Sequence, residues 1–173
     1  MKDFLTLAKE RCSVRKFEDR EIEQEKLDYI LACGQVAPSA RNLQPFHTYL
    51  LLGKDAVKRM EGATHYTFSA PAMLIVTYDQ TQAWVRDKID DFCSGQTDAA
   101  ILASHYMFAA CDCGLGTTWV QYFDPKEVKK ELNLPENIQV MTLLPLGYPA
   151  ADYEASPRHT ERKELCETLT IIR

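Results

Sequence analysis

The sequence predicts an α+β protein, a three-layer sandwich in which helices cover both faces of a central sheet. Three observations carry the prediction. Apolar runs of strand length, "FHTYLLLG" and "AMLIVTYD", are interleaved with stretches of helical periodicity. One helical stretch, "DAAILASHYMFAACDCG", is apolar or small on nearly every side, so it belongs in a core or at an interface. The order of the elements lacks the regular β and α alternation of a doubly wound parallel sheet. At 173 residues the chain has the size of one domain. No repeat, low-complexity block or Gly/Ser linker divides it, so one domain over 1–173 is expected.

The elements follow in order. Residues 3 to 10 present Phe4, Leu5, Leu7 and Ala8 at helical spacing, and "RCSVRKF" leaves this helix as a turn or extended segment. In "EIEQEKLDYILACGQVAPS", Ile22, Leu27, Ile30, Leu31 and Gly34 trace one helical face that stops before Pro38. The two apolar runs, bounded by Gly53, Pro71 and Asp79, read as buried strands with a short helix, "KDAVKRMEG", between them. A long helix is expected from about Asp87 to Cys113, ended by Gly114 and Gly116, with "TTWVQYF" extended after it. "DPKEVKKELNL" places Asp124, Pro125 and Glu127 at the N-cap, N1 and N3 positions of a capping box. "IQVMTLLPLGY" is the last strong strand. A polar tail follows, with a second basic group at Arg158, Arg162 and Lys163, before a short apolar end, "LTIIR".

Composition narrows the function. A net charge of -5 with evenly scattered acids argues against a broad nucleic-acid or membrane-surface binder. No apolar run approaches a membrane span, and the start has no signal-peptide pattern, so a cytoplasmic protein is expected. The six cysteines lack a C-x-x-C pair and read as free thiols. Cys111 and Cys113 have no companion pair at zinc spacing, so no metal is expected; they read as buried residues at a helix end. His47, His65 and His105 occur singly and read as packing residues, and no nucleophile with a base, nor a paired-carboxylate site, stands out.

Against this acidic background, "RCSVRKF" sets Arg11, Arg15 and Lys16 within seven residues. Charge alone leaves two readings: a local anion site, in which guanidinium forks and the Ser13 hydroxyl hold phosphate oxygens, or solvated cations paired with Glu10, Glu18 or Asp19. Neither a P-loop nor a full dinucleotide fingerprint is present, so a phosphate would be held by side chains. A second segment, "PSARNLQPF", offers Ser39, Arg41, Asn42 and Gln44 in a loop between helix and strand, and Asn and Pro also explain it as a simple turn.

Together these segments resemble the nitroreductase family of FMN-dependent oxidoreductases in its short form. "RCSVRKF" is similar to the family's R-x-S-x-R motif, "APSARNLQPF" to its P-S-x-x-N-x-Q-P segment and "GLGTTWV" to its G-L-G-x-x-W stretch. "LPLGYPA" is similar to its late strand and turn, and the Arg162 region to its basic tail. The resemblance implies a mixed, mainly antiparallel sheet and a homodimer with FMN at the subunit interface. It implies that Arg11, Ser13 and Arg15 hold the phosphate and ribityl chain, with Cys12 contributing main-chain atoms, and that Arg162 closes on the same phosphate, with Arg158 and Lys163 as further candidates. Pro38, Ser39, Ala40, Asn42 and Gln44 would approach the flavin ring from the partner, and Thr117, Thr118 and Trp119 would lie near its edge.

The implied activity is hydride transfer from NADH or NADPH through FMN to a small acceptor such as a nitroaromatic or quinone, with ping-pong kinetics and no catalytic side chain. The alternatives are a non-enzymatic FMN carrier, a specialised flavin enzyme such as a reductive dehalogenase, or a thiol-redox protein using Cys111 and Cys113. The chain departs from the family pattern at Thr160, where a second tail cation often stands, and at Ala40, where many relatives have a hydroxyl. It also lacks most of the insertion that often covers the flavin. The all-round apolar helix supports a dimer independently, since a partner would bury its spare face.

Overall fold

The computed structural model describes residues 3–173. Helix α1 spans Phe4–Glu10, and the Asp3 carboxylate caps it by accepting from the Thr6 N–H at 3.0 Å and the Thr6 hydroxyl at 2.7 Å. Helix α2 spans Gln24–Gln35 and buries Leu27, Ile30 and Gly34 as the periodicity requires. Glu23 is its N-cap, so Ile22 precedes the helix, although it packs on the same core.

Strand β1 (Phe46–Leu52), helix α3 (Lys54–Lys58) with a 3-10 turn at Arg59–Gly62, and strand β2 (Ala72–Asp79) follow where expected. Helix α4 spans Gly95–Asp112 and therefore starts later than the expected Asp87. Residues 87–94 instead form a turn around Arg86. Its guanidinium bonds the Asp90 carboxylate at 2.6 and 2.7 Å, and its carbonyl accepts from Ile89, Asp90 and Asp91. A helix here would have had almost no apolar face to bury: Ile89 stays exposed.

The chain continues through β3 (Gly116–Thr117), α5 (Pro125–Glu131), β4 (Ile138–Gly147) and α6 (Leu165–Thr168). The expected capping box on α5 is only half made. Asp124 accepts from the Lys126 N–H at 2.8 Å, but its own N–H donates to the Ala63 carbonyl at 2.8 Å, and Glu127 pairs with Lys130 at 3.1 Å.

The sheet order is β1-β2-β4-β3, antiparallel at every pairing, and one parallel bridge between Ser13 and Thr117 adds the N-terminal segment at the β3 edge. The sheet is thus mixed and mainly antiparallel, as expected. Side chains alternate along β2 so that both faces are dry. Ala72, Leu74 and Val76 join Leu27, Ile30, Leu102 and Tyr106 of α2 and α4. Met73 and Ile75 join Val57, Met60 and Val128 of the α3 and α5 side.

A register shift between Val76 and Thr77 leaves Met141 of β4 without a partner, and this bulge keeps Val140 on the α5 face while Met141 turns to the other core. Gly34 lets α2 and α4 meet closely, because a Cβ there would lie 2.1 Å from the Tyr106 ring. No helix among the described residues is long and apolar enough to cross a membrane.

Candidate functional site

The basic N-terminal segment is sewn to the edge of the sheet. Arg11 caps α1 through its N–H to the Leu7 carbonyl at 2.9 Å, and the Val14 N–H bonds the Thr117 carbonyl at 2.9 Å. Val14 is buried, so Arg11, Ser13 and Arg15, at the alternate positions of an extended chain, take the opposite side. The seam depends on Gly116, where a Cβ would fall 2.3 Å from Val14 Cγ2. Beyond it, Ala150 N–H donates to the Lys16 carbonyl and Glu18 N–H to the Tyr148 carbonyl, which fixes residues 148–150 to the same segment.

Tyr153 locks the segment from the other side. Its hydroxyl donates to the Ser13 carbonyl at 2.6 Å and lies 3.8 Å from Cys12 Sγ. Burial pushes its phenol up to about 12, with the Cys12 contact adding to the shift. Sequence reasoning did not single out Tyr153, which is an ordinary aromatic in a polar stretch and is distant in sequence from its partner.

Neutralisation of the cations follows neither simple reading. Lys16 pairs with Asp152, and Asp19 pairs with Lys54 at 2.8 Å. Among the described residues no ion pair joins Arg11 or Arg15 to a carboxylate, and the Arg15 side chain makes one long bond, 3.4 Å, to the Ser13 carbonyl. Among the described residues, two guanidinium groups thus flank a serine without an ion-paired carboxylate. The polar tail comes to the same place, with His159 Nε2 2.9 Å from the Lys9 carbonyl near the end of α1. Arg162 folds back on that turn and donates to the carbonyls of His159 at 2.7 Å and Glu161 at 2.6 Å, while Arg158 and Lys163 are exposed. Thr160 bonds the Pro157 carbonyl.

The second candidate segment lies at the other end of α4. Ser39 Oγ accepts from the Gln44 N–H at 2.9 Å, and the Gln44 amide donates to the Asn42 carbonyl at 3.2 Å. Arg41, Asn42 and Gln44 all have positive φ, at 52°, 55° and 51°, so the loop is strained and needs an anchor. Asp98 supplies it. This buried carboxylate accepts from the Ala40 N–H at 2.9 Å and from Ser94 Oγ at 2.7 Å. Its signal in the sequence is an acid among the apolar residues opening α4.

In one chain, then, Arg11, Cys12, Ser13 and Arg15 meet Thr117 and the tail, with Thr118 buried and Trp119 packed on the core beyond it. Pro38, Ser39, Ala40, Asn42 and Gln44 form a separate group. From Asp98 to Asp112 the helix runs about 21 Å at about 1.5 Å per residue, and that length divides the two groups.

This fold has relatives. The model of the nitroreductase family matches residues 8–68 and 60–148. A crystal structure of a nitroreductase family protein from Clostridium difficile 630 superposes with a TM-score of 0.90 at 31% identity, covering 98% of each chain. An NADH dehydrogenase/NAD(P)H nitroreductase candidate of Archaeoglobus fulgidus is 31% identical, over 91% of this chain and 94% of its own. An FMN reductase [NAD(P)H] of Bacillus subtilis is 28% identical, over 84% of this chain and 66% of its own. The chain belongs to the nitroreductase family.

Proposed function

We propose that the protein is a homodimeric, cytoplasmic FMN-dependent oxidoreductase, formed by the single domain of residues 1–173, that takes hydride from NADH or NADPH and reduces a small acceptor such as a nitroaromatic or quinone. The observation that carries the reading is the pair of guanidinium groups Arg11 and Arg15, which no ion pair among the described residues joins to a carboxylate, held around Ser13 at the sheet edge of a family member. This donor set fits a phosphate monoester: two planar forks and a hydroxyl can supply charge-assisted bonds to its oxygens. Cys12 borders it with main-chain atoms, and the tail cations Arg158, Arg162 and Lys163 supply further positive charge beside it.

When bound, FMN supplies the hydride chemistry itself, so the protein has only to hold the ring, tune it with hydrogen bonds and exclude competing reactions. Thr117, Thr118 and Trp119 would hold the ring's edge through their main-chain groups, since both threonine side chains are buried. The name of the Bacillus subtilis relative supports both the flavin and the nicotinamide donor. Reductant and acceptor would bind in turn at one site, so parallel initial-rate lines are expected.

The separation of the two loop groups along α4 supports a dimer, because the 38–44 loop of a partner can complete a site that its own chain leaves distant. Apolar surface supports it too. Phe4 and Leu5 of α1 are 68% and 63% exposed, and Phe4 with Leu7, Tyr29, Ile101 and Phe108 borders a cleft of about 680 Å3 between α1, α2 and α4. Leu169, Ile171 and Ile172 of the tail are exposed as well. A thiol-redox reading is disfavoured because burial pushes the Cys113 thiol up, away from the thiolate that such chemistry needs.

The test is an absorbance spectrum of the purified protein, followed by anaerobic addition of NADPH and then NADH. A bound flavin spectrum that bleaches with either donor supports the oxidoreductase. Bound flavin that neither donor bleaches faster than free FMN establishes the carrier instead.

A further inference from the structure

The peptide between Ser13 and Val14 is held at both ends. A trans peptide points its C=O and N–H in opposite directions. The Val14 N–H turns inward to the Thr117 carbonyl at 2.9 Å, so the Ser13 carbonyl turns outward from the sheet edge. The Tyr153 hydroxyl meets it there, donating at 2.6 Å. Among the described residues the Tyr153 ring joins neither apolar core. Both contacts of its hydroxyl, to the Ser13 carbonyl and to Cys12 Sγ at 3.8 Å, fall on the anion segment.

A short turn sets the ring in place. The Tyr153 N–H donates to the Ala150 carbonyl at 2.8 Å, and the Ala150 N–H donates to the Lys16 carbonyl at 3.0 Å. Asp152 pairs with Lys16. The turn thus grips the chain after Arg15, at Lys16, while the phenol grips it before Arg15, at Ser13. Burial pushes that phenol up to about 12, so the hydroxyl keeps its proton and stays a donor throughout the neutral range.

A carbonyl oxygen has two lone pairs, and the Arg15 guanidinium reaches toward the Ser13 carbonyl at 3.4 Å, a long and weak contact. Arg15 therefore has two acceptors to choose between, this carbonyl and a bound phosphate. With the phenol donating, the carbonyl is satisfied and the guanidinium is released to the anion. Without it, the carbonyl of a half-buried residue keeps Arg15 as its side-chain donor, and satisfying it draws the cation from the phosphate. We propose that Tyr153 is a positioning residue for the flavin phosphate, which frees Arg15 for that anion by holding the Ser13 carbonyl. The inference rests on the proposed flavin function and adds to it a residue that acts through Arg15.

The experiment measures two dissociation constants for each variant. The purified holoprotein is diluted and the fluorescence of released FMN is followed; the measurement is repeated after dialysis against excess riboflavin, which lacks the phosphate. Wild type, Tyr153→Phe, Arg15→Ala and the double variant are compared. Tyr153→Phe keeps the ring and loses only the donor. It is expected to weaken FMN binding roughly tenfold, the loss of one charge-assisted bond, while riboflavin stays within about twofold. In the Arg15→Ala background the same change should alter FMN affinity by less than about twofold, because the group it acts through is gone. An FMN constant that Tyr153→Phe leaves unchanged overturns the inference. So do equal weakening of both flavins, additive losses in the double variant, or a Tyr153→Phe chain that does not fold, since each makes the contact structural. If wild type itself binds FMN and riboflavin alike, the phosphate site is refuted, a result separate from any of these.

Discussion

Asp98 gives the most informative single substitution, because it joins the stability of the fold to the geometry of the 38–44 loop. Asp98→Ala removes the acceptor of two hydrogen bonds, from the Ala40 N–H at 2.9 Å and from Ser94 Oγ at 2.7 Å. Asp98 is 2% exposed and Ser94 4%, so bulk water replaces those bonds poorly. A hydrogen bond to a charged group contributes about 1.5–3 kcal/mol, so the pair accounts for about 3–6 kcal/mol.

For a chain of this length each kcal/mol lowers Tm by about 2–4 °C, giving a fall of at least about 6 °C. Asp98→Asn keeps an oxygen for the Ala40 N–H and presents an amide donor to Ser94 Oγ, so it should recover most of the loss. Thermal unfolding followed by circular dichroism, with FMN titration of each variant, reads both effects. The alanine variant should also bind FMN more weakly, since Arg41, Asn42 and Gln44 relax from positive φ once the anchor is gone. If Asp98→Ala melts within about 1 °C of wild type, the anchor argument is wrong.

Other outcomes follow from single contacts. Gly116→Ala places a Cβ 2.3 Å from Val14 Cγ2 and should cost about 1–3 kcal/mol by overpacking, measured by urea unfolding. The double variant with Val14→Ala should cost less than the sum of the two single changes, and strict additivity would show that the seam does not close on Gly116. Glu23 accepts from the Tyr148 hydroxyl and from Arg20, which holds its carboxyl down at about 2 against an ordinary value of 4.5. Its stabilising contribution is therefore complete above about pH 4.5 and is lost as pH falls toward 2. The urea midpoint of Glu23→Gln should lie below that of wild type at pH 6 and meet it near pH 2; a gap that does not change with pH would refute this assignment.

The sheet was legible where burial acts on short runs. "FHTYLLLG" and "AMLIVTYD" pair over seven residues because their apolar content serves both faces of one layer. The Asp87–Ser94 stretch was misread as helix because its few apolar residues do not betray the Arg86–Asp90 pair that curls it. The α5 cap was half right, since the sequence shows Asp124 and Glu127 but not that Ala63, far away in the chain, takes the N–H that Glu127 would need.

The candidate site divides in the same way. Arg11, Ser13 and Arg15 announce themselves by charge and spacing, whereas Tyr153 and Asp98 act on groups 140 and 58 residues distant.

The central claim is that "RCSVRKF" exists to hold the phosphate of a flavin, and its most direct test is the affinity of the flavin-free protein for FMN against riboflavin, which lacks that phosphate. Two guanidinium contacts at about 1.5–3 kcal/mol each predict that FMN binds at least about 100-fold more tightly. The double variant Arg11→Ala and Arg15→Ala should bind the two flavins alike. Equal affinities in wild type, or a preference that survives the double variant, would contradict the account.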